Sequence, residues 1–148
     1  MEKKFQDYLI NDDREKTDSD FVHRELAASY WAKDIPFEIV KCAIENSLCF
    51  NIFLNEKQVG FARVVTDRCT YAYLCDVIIS EHYRGKGLGT AMMDMIMHHP
   101  DLQNLRRFTL ATRDAHALYE KFCFHTPKNP QRLMEIHRQG IYEVKKGE

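Results

Sequence analysis

The chain has 148 residues, of which 45% are hydrophobic and 29% are charged, with a formal net charge of −1 and a pI of about 6.7. This length suits one domain with a sizeable core, and the near-neutral charge gives no electrostatic reason to expect a nucleic-acid or membrane-surface partner. No stretch reaches the roughly 20 apolar residues that span a bilayer. The first residues lead into Gln6 and Asp7 rather than into an apolar run, so no signal peptide is predicted.

The cysteines are odd in number, widely spaced and without a C-x-x-C pair. Most of them fall in apolar strand or helix patterns. The sequence therefore predicts buried, reduced thiols in a cytoplasmic protein, and no metal site. The cysteines are Cys42, Cys49, Cys69, Cys75 and Cys123.

The first third of the chain is predicted to contain one strand and two helices. Residues 4–10 are predicted to form the strand, and the polar residues 11–16 a solvated turn. Residues 17–20 offer several N-cap candidates for a helix over residues 21–31. Pro36 suits the first turn of a second helix over residues 37–45.

From residue 48 the hydrophobic period changes to two, which predicts three antiparallel strands joined by tight turns. These strands cover residues 48–54, 58–66 and 71–79. A glycine-rich corner then opens an amphipathic helix that Pro100 ends. Its predicted buried stripe is Leu88, Ala91, Met92, Met95, Ile96 and His99.

The rest of the chain is predicted to add a short buried strand over residues 107–111 and a short helix over residues 115–122. Residues 133–138 are left open between a final strand and a helical turn. Since there is no internal repeat or linker, the sequence predicts one α+β domain over residues 1–148.

The glycine corner is a predicted phosphate-binding site. Gly85, Gly87 and Gly89 let the backbone turn and approach a ligand closely. The first N–H groups of the following helix have no intrahelical partner, and the helix dipole favours negative charge. A P-loop is excluded because the earlier glycine and the hydroxyl residue after Lys86 are missing. A Rossmann fingerprint is excluded because Thr90 would occupy the third glycine site and the preceding strands form a meander.

Two motifs in this chain resemble those of the GNAT-type N-acetyltransferases. The segment Arg84-x-x-Gly87-x-Gly89 resembles the [R/Q]-x-x-G-x-[G/A] pyrophosphate loop of that family. Residues 115–124, A-H-A-L-Y-E-K-F-C-F, resemble its A-x-x-L-Y-x-K-x-G-F signature. The resemblance covers most of the chain and implies a GNAT-like domain. Such a domain has a mixed, mostly antiparallel sheet of about six to seven strands, about four flanking helices, and acyl-CoA in a cleft between two splayed central strands.

The resemblance implies acetyl-CoA as the donor, held without a metal. The strand before the loop would bind the pantetheine arm, and the loop amides would bind the pyrophosphate. Charge-assisted contacts from Arg84 and Lys86 would assist, although a solvated loop is the alternative for both cations. Asp114 stands where the family often has an asparagine that contacts pantetheine, and it could instead be an N-cap. The implied cofactor-binding residues are Val77, Ile78, Ile79, Arg84, Gly85, Lys86, Gly87, Leu88, Gly89, Thr90 and Asp114.

Two residues are predicted to be catalytic. Tyr119 matches the family's tyrosine, which implies a general acid for the leaving thiolate; the alternative is that it only packs against Phe122 and Phe124. Asp76 interrupts an apolar strand, so its carboxylate must face a cleft or a buried partner. The sequence predicts it as the general base, with a water chain, or an ion pair between Asp76 and Arg63, as the alternatives.

The acceptor site is predicted around Tyr30 and Trp31, in the link between the first two helices. Aromatic residues there can wall a pocket or cover the core. The implied function is transfer of an acetyl group to a primary amine of a small molecule or peptide. A catalytically silent acyl-CoA-binding module and an interaction domain that kept only the fold are the alternatives. The resemblance does not name the amine, and the oligomeric state stays open, a homodimer included.

Overall fold

A six-stranded sheet runs through the computed structural model, which describes residues 1–144 of the chain. The strands lie side by side in chain order. Each pair from the first to the fifth strand is antiparallel, and the sixth strand lies parallel to the fifth. The predicted α+β architecture with a mixed, mostly antiparallel sheet is confirmed. The strands are β1 (Glu2–Phe5), β2 (Tyr8–Asn11), β3 (Leu48–Leu54), β4 (Lys57–Thr66), β5 (Tyr71–Ile79) and β6 (Arg107–Leu110).

Helices cover both faces of the sheet, because alternate strand residues point to opposite sides. On β3, Phe50 belongs to the core beneath α3, whereas Cys49 belongs to the core beneath α1 and α2. The predicted methionine-rich stripe of α3 is buried, from Leu88 to Ile96, and His99 beyond the helix is buried as well. The helices are α1 (Ser19–Ala27), α2 (Phe37–Glu45), α3 (Leu88–Met97) and α4 (His116–Glu120).

Two predicted elements near the amino terminus are wrong in extent. The single strand over residues 4–10 is instead a hairpin, because the chain turns at Gln6, which has a φ of 54°, and Phe5 pairs with Tyr8. The helix predicted over residues 21–31 is α1, which ends earlier, at Ala27. Its end is fixed by Ser29, whose backbone N–H and hydroxyl both donate to the Leu26 carbonyl, at 3.0 and 2.6 Å.

The prediction of buried thiols is correct for Cys49 and wrong for three of the five cysteines. Cys42 lies on the solvent side of α2, Cys69 in the β4–β5 turn, and Cys123 just after α4, and all three are exposed. Cys75 is partly buried on β5. All five are free thiols.

The segment after α4 forms no strand in the described part of the chain. Residues 133–138, for which the sequence allows a final strand or a helical turn, adopt neither structure. The chain then returns to the α1–α2 link, where Glu143 lies 3.6 Å from the Lys33 ammonium and Tyr142 packs against the core. Residues 145–148 of the predicted domain lie outside the described residues.

Cys123 occupies a strained backbone position, and Cys123→Gly is expected to stabilise the protein. The GNAT signature has glycine here, and Cys123 has a φ of 70°, a left-handed conformation that costs a residue with a Cβ about 1 kcal/mol or more. We expect a gain of about 1 kcal/mol in the free energy of unfolding, measured by urea denaturation. Cys123→Ala removes the thiol but keeps the Cβ, so a similar gain in that variant would show that backbone strain is not the cause.

Candidate functional site

A cleft opens where β5 and β6 part. Their parallel pairing begins at Tyr71 and Arg107 and ends at Leu74 and Leu110. Beyond that point β5 continues through Cys75 to Ile79 without a partner on this side among the described residues. The main-chain groups along this half of β5 are therefore free to pair with a ligand.

A β-bulge lies at the same point of β5. Phe61 pairs with Ile78 and Arg63 with Cys75, so two residues of β5 face one residue of β4. One of the two, Asp76, has a φ of 52°, a conformation that aspartate tolerates better than most residues. Bulges of this kind bend a strand and redirect its side chains. The bulge thus places the Asp76 carboxylate where the cleft begins.

The Asp76 carboxylate is engaged by two donors. Its Oδ2 accepts from Arg63 Nε at 2.8 Å, and its Oδ1 accepts from the indole Nε1 of Trp31 at 3.0 Å. The side chains of Asp76 and Arg63 are only 10% and 19% exposed. The ion pair with Arg63, one of the predicted alternatives, is therefore present, and the general-base role stays a prediction.

Tyr119 projects from α4 into the core beside the cleft. It is 8% exposed, and its ring meets the ring of Phe124 edge to face at a centroid distance of 6.2 Å. The pKa of Tyr119 is raised, first because burial disfavours the charged tyrosinate and second because Tyr30 lies nearby. Tyr119 thus makes the packing contact with Phe124 and also keeps its proton well above neutral pH. The general-acid role stays a prediction.

The glycine corner has the geometry of an anion site. Gly85 and Gly87 have φ values of 76° and 82°, and Gly87 caps the amino terminus of α3. A Cβ built on Gly85 would meet nothing within 4 Å, so the space beside the loop is open. The first helical hydrogen bond runs from the Ala91 N–H to the Gly87 carbonyl at 3.0 Å. The N–H groups ahead of that bond are free for an anion, and they belong to Leu88, Gly89 and Thr90.

Three cations surround this corner. The ammonium groups of Lys57 and Lys86 lie 5.6 and 5.9 Å from the ring centroid of Tyr83. Arg84 Nε donates to the carbonyl of Ile79 at 2.9 Å, which ties the loop to the end of β5. Within residues 1–144 none of the three cations forms an ion pair. Sequence reasoning missed Lys57, because only the β3–β4 hairpin brings it to the loop.

The predicted acceptor residues lie at the other end of the cleft. Tyr30 and Trp31 are 57% and 47% exposed, with ring centroids 5.1 Å apart. The guanidinium carbon of Arg113 lies 3.9 Å from the Tyr30 ring centroid. We call Tyr30, Trp31 and Arg113 the acceptor rim. No sequence motif pointed to Arg113, which the fold brings to Tyr30 from the β6–α4 loop.

Asp114 does not cap α4, so the N-cap role, which was the alternative to pantetheine binding, is wrong. The N-cap position belongs to Ala115, and the backbone N–H of Ala115 donates instead to Thr112 Oγ1 at 3.0 Å. The Asp114 carboxylate is exposed and lies 3.7 Å from Arg113 Nη2. The binding of pantetheine by Asp114 stays a prediction.

The described residues contain neither a cluster of metal-ligating side chains nor a membrane-spanning helix. Within residues 1–144, no three or more His, Cys, Asp or Glu side chains are grouped so that they could hold a metal ion. In the same residues no helix has the length and apolar character needed to cross a membrane.

Residues 11–124 match the family described as Acetyltransferase (GNAT) family. A crystal structure of a GNAT-family protein from Xanthomonas campestris pv. campestris superposes with a TM-score of 0.90 at 47% identity, covering 93% of this chain and 97% of that one. A Gibberella zeae protein named "Putative acetyltransferase FG08082" is 29% identical in a 138-residue alignment that covers 78% of this chain and 77% of that protein.

The ribosomal-protein-S18-alanine N-acetyltransferase from Escherichia coli shares the fold alone, with a TM-score of 0.62 at 20% identity over 82% of this chain and 79% of that one. The matched segment contains the splayed strands, the bulge, the glycine corner and α4. On this evidence the chain belongs to the GNAT acetyltransferase family.

Proposed function

We propose that this protein transfers an acetyl group from acetyl-CoA to a primary amine of a small molecule or peptide. The observation that carries the proposal is the splay of β5 from β6. The glycine corner, with its free helix amides, follows the unpaired half of β5, and the buried Tyr119 follows β6 on α4. An elongated ligand with phosphates, an amide-rich arm and a reactive end matches that sequence of groups.

The donor would be held mainly by main-chain groups. The free amides at the start of α3 would bind the pyrophosphate together with the residues of the loop, Gly85 to Thr90. Lys57, Arg84 and Lys86 would add charge-assisted contacts to phosphate. The main chain from Val77 to Ile79 would pair with the amides of the pantetheine arm, and Asp114 is the side chain proposed beside that arm.

The reaction needs one proton donated and one removed. The amine nitrogen attacks the thioester carbonyl, so a C–N bond forms and the C–S bond breaks. Tyr119 donates its phenolic proton to the departing sulfur, which gives the thiol. The proton lost by the amine passes through water at the cleft mouth to the tyrosinate, and this restores the hydroxyl of Tyr119. The raised pKa of Tyr119 keeps the hydroxyl protonated at neutral pH, which an acid requires. The support for the role itself is the place of Tyr119 in the family motif.

For Asp76 we propose a positioning role. Both of its oxygens already accept hydrogen bonds, from Arg63 and Trp31. These bonds fix the α1–α2 link, and so the acceptor rim, to the bulge of β5. The base would then be the water chain that sequence reasoning left as an alternative to Asp76.

Asp76→Asn is expected to lower kcat by less than about tenfold, because a positioning residue takes no proton in the reaction. Loss of a general base would lower kcat by about 100-fold or more. Asparagine accepts a hydrogen bond through its Oδ1 and tolerates a φ of 52°. We expect the larger change in KM for the amine, measured by steady-state kinetics. Asp76→Ala, which keeps neither bond, should raise that KM further. A 100-fold fall in kcat for Asp76→Asn, with KM unchanged, would instead establish Asp76 as the base.

The proposed function is tested first by binding and then by turnover. Acetyl-CoA at 100 times its Kd should stabilise the protein by about 2.7 kcal/mol and raise its Tm. ATP, which has the phosphates and adenine but no pantetheine, is the control and should stabilise it far less. Release of free CoA is then followed with amino acids, peptides, amino sugars and polyamines as acceptors.

The possible results separate the competing functions. No shift of the Tm with acetyl-CoA would overturn the proposal and leave an interaction domain that kept only the fold. A shift without CoA release from any acceptor would favour a silent acyl-CoA-binding module.

A further inference from the structure

Arg113 is held at the acceptor rim by stacking on an aromatic ring. Its guanidinium carbon lies 3.9 Å from the Tyr30 centroid, whereas the other cation contacts to aromatic rings in the described residues span 5.6 to 5.9 Å. The nearby Asp114 carboxylate lies 3.7 Å from Nη2, and the two side chains are 64% and 72% exposed. An exposed pair of this kind contributes little. Stacking therefore orients Arg113 and leaves the N–H groups along its edge available.

Arg113 lies near the end of the cleft at which the reaction would take place. Tyr30, on which it stacks, lies close enough to Tyr119 to contribute to the raised pKa of that residue. Trp31, next to Tyr30, is hydrogen-bonded to Asp76 at the start of the cleft. The acceptor rim therefore lies near the end of the cleft at which an amine would meet a thioester beside Tyr119.

The charges around the rim favour an acid over a second cation. The buried carboxylate of Asp76 is neutralised by Arg63, and Glu143 lies 3.6 Å from the ammonium of Lys33. Arg138 is a second arginine near the rim, since it lines a cavity of about 70 Å³ together with Tyr30 and Trp31, and Lys33 and Glu143 line the same cavity. A polyamine would meet like charge here, whereas a carboxylate or phosphate would meet a complementary one.

From these contacts we infer that the acceptor is an amine that also carries an acidic group, and that Arg113 binds this group at the rim. The inference rests on the proposed function and names its substrate class. The shared chemistry is an oxyanion, which a carboxylate or a phosphate supplies; a planar guanidinium binds either through two parallel hydrogen bonds. Amino acids and amino-sugar phosphates are the two sources to be compared.

The test compares each acid with its neutral counterpart. Amino acids are paired with their amides, and amino-sugar phosphates with the unphosphorylated sugars. The measured quantity is the ratio of kcat/KM for the acid to kcat/KM for its counterpart. Because this ratio is internal to one protein sample, differences in folded fraction cancel. We expect a ratio of at least about 10 in the wild type with one of the two sources.

Arg113→Gln should lower that ratio about tenfold or more, and Arg113→Lys should keep part of it, since it keeps the charge but not the planar fork. Arg132→Gln is the matched control, because it removes an exposed cation of the short 3-10 helix Pro130–Arg132, after α4, and should leave the ratio unchanged. The KM for acetyl-CoA is measured in each variant, and a rise confined to that KM would show that Arg113 binds the donor instead, which overturns the inference.

Other results also decide the question. A wild-type ratio near 1 with both sources, or equal ratios in the wild type and Arg113→Gln, would overturn the inference while the acetyltransferase function stands. If no acceptor is acetylated, calorimetry of N-acetylated acids binding to the CoA-loaded protein decides instead. Binding that is lost in Arg113→Gln would support the inference, and equal binding would overturn it.

Discussion

Gly87→Glu is expected to weaken acetyl-CoA binding by at least about 100-fold, because it places a carboxylate at the predicted phosphate site. Gly87 caps α3 with a φ of 82°, and the amides that follow it are the free donors of the helix. A glutamate side chain there would both fill the approach to these amides and repel the pyrophosphate. Isothermal titration calorimetry with acetyl-CoA measures the loss directly.

The control for Gly87→Glu is Gly87→Ala. Both variants add a Cβ in the left-handed conformation, which costs about 1–2 kcal/mol, and in both the Cβ would lie 3.4 Å from Cζ of Phe5. Their Tm values without ligand should therefore agree. Only the glutamate variant introduces negative charge, so Gly87→Ala should retain much more affinity. Equal affinity of wild type and Gly87→Glu would contradict the assignment of the glycine corner to phosphate.

Tyr119→Phe is expected to lower kcat by about 100-fold, because the leaving sulfur loses its proton donor. The substitution removes one hydroxyl and keeps the ring that meets Phe124 at 6.2 Å. The Kd for acetyl-CoA should therefore stay nearly unchanged, as calorimetry would show. Release of CoA at saturating acceptor measures kcat.

The pH profile gives a second readout for Tyr119. The acid role requires the protonated hydroxyl, and the pKa of Tyr119 is raised above its ordinary value of about 10. Deprotonation of Tyr119 should therefore not reduce the wild-type kcat below about pH 10.

Phe124→Leu is the matched control for Tyr119→Phe, since it disturbs the packing of Tyr119 but keeps the hydroxyl. If Tyr119→Phe retained the full kcat, Tyr119 would be a packing residue only.

Much of the fold could be predicted from local patterns. The period-two segments over residues 48–54 and 71–79 became β3 and β5 with the same limits, and the helix over residues 37–45 became α2. Period-two and helical patterns report which side chains are buried, so they identify elements without knowledge of the partner. The β1–β2 hairpin was missed because its turn residue, Gln6, adopts a left-handed conformation that the residue type does not suggest.

The backbone at Cys123 keeps the conformation that the glycine of the family signature would favour. The family signature placed glycine at this position, and the sequence showed cysteine. The structure keeps the left-handed φ of 70° despite the Cβ. The surrounding contacts therefore determine the backbone here, and the residue bears the strain.

The sequence by itself determined the glycine corner, the family resemblance and the identity of Tyr119 as the candidate acid. Each of these depends on residues close together in the chain, where spacing and residue type are visible. Only the tertiary structure decided the partners of Asp76, the approach of Lys57 to the glycine corner, and the stacking of Arg113 on Tyr30. These contacts join residues far apart in the chain, and strand register, a β-bulge and loop packing place them. Such placements depend on the whole fold, because no local periodicity or motif specifies them.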